Sequence, residues 1–375
     1  KIDAVFDALL VGGPQLIVCR HEQNAAFMAG CYGRLTGKPG VVLVTSGPGV
    51  SNLATGLLTA TTEGDPIVAI GGNVPLSMKF KESHQNSNSV KIMEACTKFS
   101  EEISAVEAIP EVVANAFRIA TAPQAGASFI SFPQDISLKE TELEALEPHL
   151  SEEYGTAPEQ WLHQAAELIN KAKLPVLLLG MEASKPRNAK AIRELLAKTP
   201  IATTETYQAA GVVSRELFHC FVGRVGLFKN QPGDVLLDAA DLIVTIGFNP
   251  VEYDPEILNA KGNKKIIHLN CHRSNVRRTY FPDLEIVGDV AGNLSSIAKK
   301  LMTRKTLHNV DLVNKLHKEL VTTIESGKNK TDKPIHPLKF INELRNYLDD
   351  DDTVISDVGS HYMWLARYFS SYQPH

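Results

Sequence analysis

Cysteine is scarce in this 375-residue chain: Cys19, Cys31, Cys96, Cys220 and Cys271 are its five, and no two form a CxxC pair. Such wide spacing excludes a disulfide framework and reads as reduced, buried thiols, an expectation that points to the cytoplasm. No apolar run approaches the roughly 18 residues of a membrane helix, and the first residues lack a leader pattern, so a membrane role is set aside. Cationic surplus is missing too. Lys and Arg total 38 against 43 Asp and Glu, a net charge of −5, and they are scattered rather than striped, which excludes a nucleic-acid footprint. No short repeat of solenoid length is present.

What remains is ordinary globular material, 43% hydrophobic and 22% charged, enough for two or more cores. Over residues 1–138 helical stretches alternate with apolar runs, "QLIVC" (15–19), "GVVLVTS" (40–46), "PIVAIGG" (66–72) and "ASFISFP" (127–133). Continuous Val/Ile/Leu strands between helices predict a parallel sheet covered on both faces. A Glu-rich polar stretch follows, and 139–157 reads as a solvated linker. A second α/β unit spans 158–304, with strands at "PVLLLG" (175–180), "ADLIVTIG" (240–247) and "KKIIHLN" (264–270), closing near "LEIVGDVAGNLSSIAKKL". Residues 305–333 carry a charged amphipathic helix and a second linker, and 334–375 open a third unit with a strand, a turn and a helix. The fold class is thus α/β, three doubly wound parallel-sheet units with the third cut short. The chain opens inside an amphipathic helix and breaks off without a closing element, so an incomplete chain is expected.

Ligands of doubly wound sheets bind beyond the carboxyl ends of the strands. After the first apolar run come His21 and Glu22. A zinc-protease helix would need a second His at position 25, where Ala25 stands. After the second comes "SGPGVSN" (46–52), a tight Gly-rich turn without the third glycine of a dinucleotide fingerprint or the Lys of a P-loop. After the third comes the polar loop "KESHQNSNS" (81–89), with the look of an active-site loop. His268 and His272 straddle a strand end and read as sheet-edge packing rather than metal ligands.

In order and spacing, "RHEQNAAFMAGCYGRLTGKPGVVLVTSGPGVSN" resembles the pyrimidine-binding domain of thiamine-diphosphate enzymes. Further along, "TEGDPIVAIGG", "HQNSN", "TKFS", "FPQDI", "TYQAAG", "GRVGLFKNQPGD", "GFNPVEYDP" and "SDVGSHYMWLARY" extend the likeness over the whole chain, most nearly to catabolic, FAD-independent acetolactate synthases. The resemblance implies a pyrimidine domain over 1–138 lacking its first strand, a central domain over 158–304 of vestigial flavin-site type, and the start of a diphosphate domain over 334–375. It implies decarboxylating condensation of two pyruvates to 2-acetolactate and CO2, by way of a thiamine-diphosphate ylide and a hydroxyethyl carbanion-enamine.

By the same match, Glu22 holds the pyrimidine ring and serves in catalysis, and burial among Ala25, Ala26 and Phe27 should keep it protonatable. Pro48 and Asn52 lie beside the pyrimidine, Gln85 orients substrate near the reacting carbon, and Lys98 supplies a charge behind the catalytic groups. Gly359, Ser360 and His361 approach the diphosphate. The family's metal-binding GDG element is absent, so Mg2+ ligands are expected beyond residue 375 and this polypeptide alone is expected to be inactive. Where the biosynthetic branch has Arg-Phe-Asp-Asp-Arg, this chain has Asn249, Pro250, Val251, Glu252 and Tyr253, so FAD is not expected. Homodimers or homotetramers with the active site between subunits are implied. The alternatives are pyruvate oxidase or 2-keto acid decarboxylase chemistry and, of another class, a noncatalytic nucleotide-binding or regulatory protein, which would bind NAD or ADP through residues 155–305.

Overall fold

A computed structural model describes residues 1–148 and 154–374. The chain divides into two compact units, 1–152 and 153–375. Part of the expected 139–157 linker, residues 149–153, lies outside the described residues.

In the first unit β1 (Gly40–Val44), β2 (Ile67–Asn73), β3 (Phe99–Glu102) and β4 (Ala127–Pro133) form a parallel sheet in the order β1-β2-β4-β3. Alternation along β2 and β4 sends Ile67, Ala69 and Phe129 into one core, while Val68 and Ile130 enter another on the opposite face. Burial on both sides is why these strands read as unbroken apolar runs. β3 was not foreseen, because "FSEE" is short, half polar and lies at the sheet's edge.

The helix Glu22–Thr36 packs on this sheet. His21 caps it, its ring Nδ1 accepting the Gln23 N–H at 3.1 Å. The face of Ala26, Ala29, Gly30 and Gly33 is small because the neighbours come close. A Cβ at Gly33 would lie 2.4 Å from the Pro66 carbonyl oxygen, and one at Gly56 only 2.5 Å from the Ala26 Cβ. Arg34 locks the far end, its Nε and Nη2 each donating to the Asp65 carboxylate at 2.8 Å, with Glu63 beside it. Register and height of Glu22 above the sheet follow from these contacts.

The strand expected at 15–19 does not form. Leu16, Ile17 and Val18 are exposed, and a strand without a ladder partner leaves its own backbone groups unpaired, so the apolar run alone cannot make one.

The second unit holds β5 (Pro175–Leu179), β6 (Ala202–Thr206), β7 (Phe221–Val225), β8 (Leu242–Ile246), β9 (Lys265–Asn270) and β10 (Leu284–Val287), all parallel, ordered β10-β9-β8-β5-β6-β7. β6 and β7 escape a search for Val/Ile/Leu runs, since "ATTET" and "FVGRV" bury threonines, Glu205 and Arg224 instead. Arg224 Nε donates to Glu205 Oε2 at 3.2 Å, and both side chains are almost fully buried. Burial pushes the Glu205 carboxyl up, while Arg224 and the Val213 N–H oppose that shift. Arg224 Nη1 also donates to the carbonyls of Ala366 (3.1 Å) and Phe369 (2.8 Å), tying down the end of the Ser360–Tyr368 helix. The amphipathic helix expected in 305–333 forms as Val310–Ser326, and its Val313, Leu316 and Leu320 join this unit's core.

Beyond residue 334 the helices Pro337–Tyr347 and Ser360–Tyr368 form, but the strand foreseen before Gly359 does not. Ile355 and Val358 stand 92% and 85% exposed, with no neighbouring strand to pair them. Among the described residues, then, two parallel sheets are present, and residues 334–374 fall within the second unit and add helices alone.

His268 lies buried in β9. Its Nε2 faces the His272 carbonyl at 3.1 Å and must be the donor, so Nδ1 accepts from the Tyr280 hydroxyl at 2.9 Å and the ring is the neutral Nε2–H tautomer. The histidine is core packing inside the sheet, between β8 and β10, rather than the sheet-edge packing expected of it. Burial pushes its pKa down to about 4, so the unfolded chain takes up a proton between pH 6.5 and 4 that the native state refuses. Stability should fall over that window by roughly 3 kcal/mol from this residue. Urea titrations across pH check this: His268→Gln should lack that part of the acid slope.

Candidate functional site

In a parallel sheet every strand delivers its following turn to one edge. The end of β1 leads through Thr45 and Ser46 into the Gly47-Pro48-Gly49 turn, and Pro48 opens the short helix Pro48–Ser51. Gly47 is required here. Its φ of +63° lies in the left-handed region, and a Cβ would meet the Gln85 Cα at 3.0 Å. At Gly49 a Cβ would lie 3.6 Å from Glu22 Oε1, so the turn's backbone runs directly past that carboxylate.

Glu22, in the first turn of its helix, accepts a hydrogen bond from Asn52 Nδ2 on Oε2 at 3.0 Å. Gln85 Oε1 accepts one from the Ser46 hydroxyl at 3.2 Å. Glu22 with Asn52, and Gln85 with Ser46, thus line the turn that Pro48 stiffens. Asn52 and Pro48 are exposed, and Glu22 and Gln85 are partly so, which leaves the edge open to a ligand.

Two features of this edge were not anticipated. Gln85 itself sits at φ +61°, a conformation that costs a side-chain-bearing residue roughly 1 kcal/mol and persists only where the surroundings impose it. Asn86 imposes it by donating its amide to the carbonyls of Met78, Lys79 and Lys81, pinning the polar loop. No spacing rule marks such an Asn; only its place between polar neighbours in "HQNSN" hints at it.

The expectation that burial raises the Glu22 pKa is overturned. Its carboxyl lies below the usual carboxylate range, chiefly because the Asn52 amide donates to the charged form. Burial opposes this without outweighing it, and Glu22's own N–H and nearby His21 add to the lowering. Phe27 is 41% exposed and Ala25 only partly covered, so the apolar enclosure read from the sequence is not closed around the carboxylate.

Lys98 is not brought to this edge. It precedes β3, level with the start of β4, and its Nζ donates to the carbonyls of Ile119 (2.8 Å), Ala122 (2.8 Å) and Gln124 (2.5 Å) at the end of the Ile109–Thr121 helix. That is the opposite end of the sheet, and a cation satisfying helix-terminal carbonyls is a structural cap. Burial pushes its pKa down to about 8.

In the second unit, Gly359 precedes the Ser360–Tyr368 helix with no side-chain cap, and the exposed His361 folds back so that a Cβ at Gly359 would meet its ring at 2.7 Å. No group of three or more His, Cys, Asp or Glu able to hold a metal occurs among the described residues, and none of their helices is long and apolar enough to cross a membrane.

Comparison with known proteins places the chain in a family. The model of the thiamine pyrophosphate enzyme N-terminal TPP binding domain matches residues 1–94, and that of the thiamine pyrophosphate enzyme central domain matches 162–297. The acetolactate synthase of Bacillus subtilis (strain 168) is 48% identical over all of this chain and 66% of its own length. The catabolic acetolactate synthase of Raoultella terrigena is 40% identical over 100% and 67%. The acetolactate synthase isozyme 2 large subunit of Escherichia coli (strain K12) is 28% identical over 99% and 66%. The chain spans about two thirds of the length of these curated relatives.

Asn52→Ala should raise the Glu22 pKa toward the ordinary carboxylate value, read by NMR titration of the Glu22 carboxyl carbon. Gln85→Gly should leave stability within about 1 kcal/mol, since relief of the left-handed conformation offsets the lost Ser46 hydrogen bond. Gln85→Val should cost more, because a β-branched side chain is worse suited to that φ; urea midpoints separate the two.

Proposed function

The chain belongs to the thiamine pyrophosphate enzymes, among the acetolactate synthases, and on that footing we propose that the complete protein condenses two pyruvates to 2-acetolactate with release of CO2. The observation that carries the proposal is the accessible Glu22 carboxylate, held by Asn52 against the Gly47-Pro48-Gly49 turn at the carboxyl edge of a parallel sheet.

These residues fit the pyrimidine ring of thiamine diphosphate. They present one proton-exchanging carboxyl, one amide that fixes it, and a glycine backbone that lets a flat ring approach. When bound, the cofactor supplies a nucleophilic carbon and a ring that accepts the electrons released on decarboxylation.

In this reading Glu22 holds and moves a proton at the pyrimidine ring nitrogen. Asn52 keeps its carboxylate aimed and ionised until a ring covers it, and covering shifts the acid back toward the range useful for proton transfer. Pro48 walls the ring. Gln85, fixed in its strained conformation, orients pyruvate, while Gly359, Ser360 and His361 serve the diphosphate, an anion that a helix N-terminus favours.

Mg2+, which would offset the charge of the diphosphate, belongs to the proposal, with its protein ligands outside the described residues. So do a homodimer or homotetramer with the active site between subunits, a cytoplasmic location, no resident FAD, and the division into pyrimidine (1–138), central (158–304) and diphosphate (from 334) domains. Lys98 has no place in the chemistry.

The test uses the full-length enzyme with thiamine diphosphate, Mg2+ and pyruvate. Acetolactate is the expected product; acetaldehyde or acetyl phosphate would assign a different reaction. Glu22→Gln should lower exchange of the cofactor's thiazolium C2 proton by at least 100-fold with an unchanged melting temperature, and unchanged exchange would sink the assignment.

A further inference from the structure

The second sheet reverses its strand order between β5 and β8, and in doubly wound sheets that crevice is where a nucleotide binds. The turn after β5 is Gly180-Met181, and the turn after β8 runs from Gly247 to Tyr253. Their backbone N–H groups are the donors a ligand's phosphate would use.

Those donors already have a partner. The Met181 N–H donates to Glu252 Oε2 at 2.9 Å, the Asn249 N–H to Oε1 at 2.8 Å, and the Thr206 hydroxyl, at the end of β6, to Oε2 at 2.6 Å. Three strand ends therefore converge on one carboxylate. Glycine is needed for the approach. A Cβ at Gly180 would lie 2.8 Å from Glu252 Oε1, and one at Gly247, whose φ is +58°, would lie 2.4 Å from the Ala183 nitrogen. Tyr253 is buried and donates its hydroxyl to Asp234 Oδ1 at 2.5 Å, which anchors the turn carrying Glu252.

We propose that Glu252 is the residue that closes this crevice to nucleoside diphosphates: its carboxylate occupies the donors a phosphate would need and repels the phosphate's charge. The inference stands on the fold of the second unit and is independent of the reaction proposed above. Burial pushes the Glu252 carboxyl up to about 7, with Glu182 acting in the same sense and the three donors against it. At pH 8 the group is mostly ionised and the exclusion should be strongest.

The experiment measures ADP and FAD binding to the full chain at pH 8 by calorimetry, for the unaltered protein and for Glu252→Ala and Glu252→Gln. Melting curves establish that each variant is folded. The unaltered protein should show no saturable binding, whereas Glu252→Ala should bind ADP at least tenfold more tightly, with inorganic phosphate competing. Glu252→Gln keeps the bulk and removes the charge, so it should show a smaller gain and remains readable if the alanine variant does not fold. Saturable ADP or FAD binding by the unaltered protein, or no gain in any folded variant, would overturn the proposal.

Discussion

Parallel pairing is the constraint from which the candidate site follows. When every strand of a sheet runs the same way, all the turns after the strands gather at one edge and all the segments before them at the other. In the first unit this brings Ser46, Pro48 and Gln85 to the edge where Asn52 meets Glu22, although up to 63 residues separate Glu22 from Gln85 in the chain. The same rule removes Lys98, which precedes its strand and so belongs to the other end. Small residues then set the distances. Gly33, Gly47, Gly49 and Gly56 let the helix and the turn come close enough for a carboxylate and an amide to touch.

Two glutamates, one in the first turn of a helix and one in the turn after β8, show how surroundings decide what a carboxyl group does. Glu22 is partly open to water and is held mainly by the Asn52 amide, so its charged form is favoured. Glu252 has three donors, yet the desolvation around it outweighs them and pushes its carboxyl up to about 7. One side chain stays partly open to water beside the amide that holds it. The other is enclosed by its own turn and satisfies donors that would otherwise be left for a ligand.

Much of the fold was legible in the sequence, because strands buried on both faces must be apolar throughout. β1, β2, β4, β5, β8 and β9 all fall where such runs occur. β6 and β7 were hidden by internally satisfied polar groups, Thr204 donating to the Gly223 carbonyl and Arg224 to Glu205. The runs at 15–19 and 354–358 misled for the opposite reason. Apolar residues license a strand only where another strand offers its hydrogen bonds, and pairing is not written in a local run. At the site, the resemblance named Glu22 and Asn52 each, but not the hydrogen bond between them. The Glu22 pKa was not legible either, since it depends on a hydrogen bond and an exposure that no sequence states. The place of Lys98 was hidden too: a Lys before a short, half-polar edge strand carries no mark of which end of the sheet it will occupy.

The central claim is that Glu22, positioned by Asn52, is the group that meets the pyrimidine ring. A crystal structure of the full-length protein with thiamine diphosphate and Mg2+ tests it most directly. A Glu22 carboxylate oxygen should lie within hydrogen-bonding distance of a pyrimidine ring nitrogen, with Asn52 beside it and the Gly47-Pro48-Gly49 turn against the ring. A ring bound elsewhere, with Glu22 facing only solvent and Asn52, would contradict it.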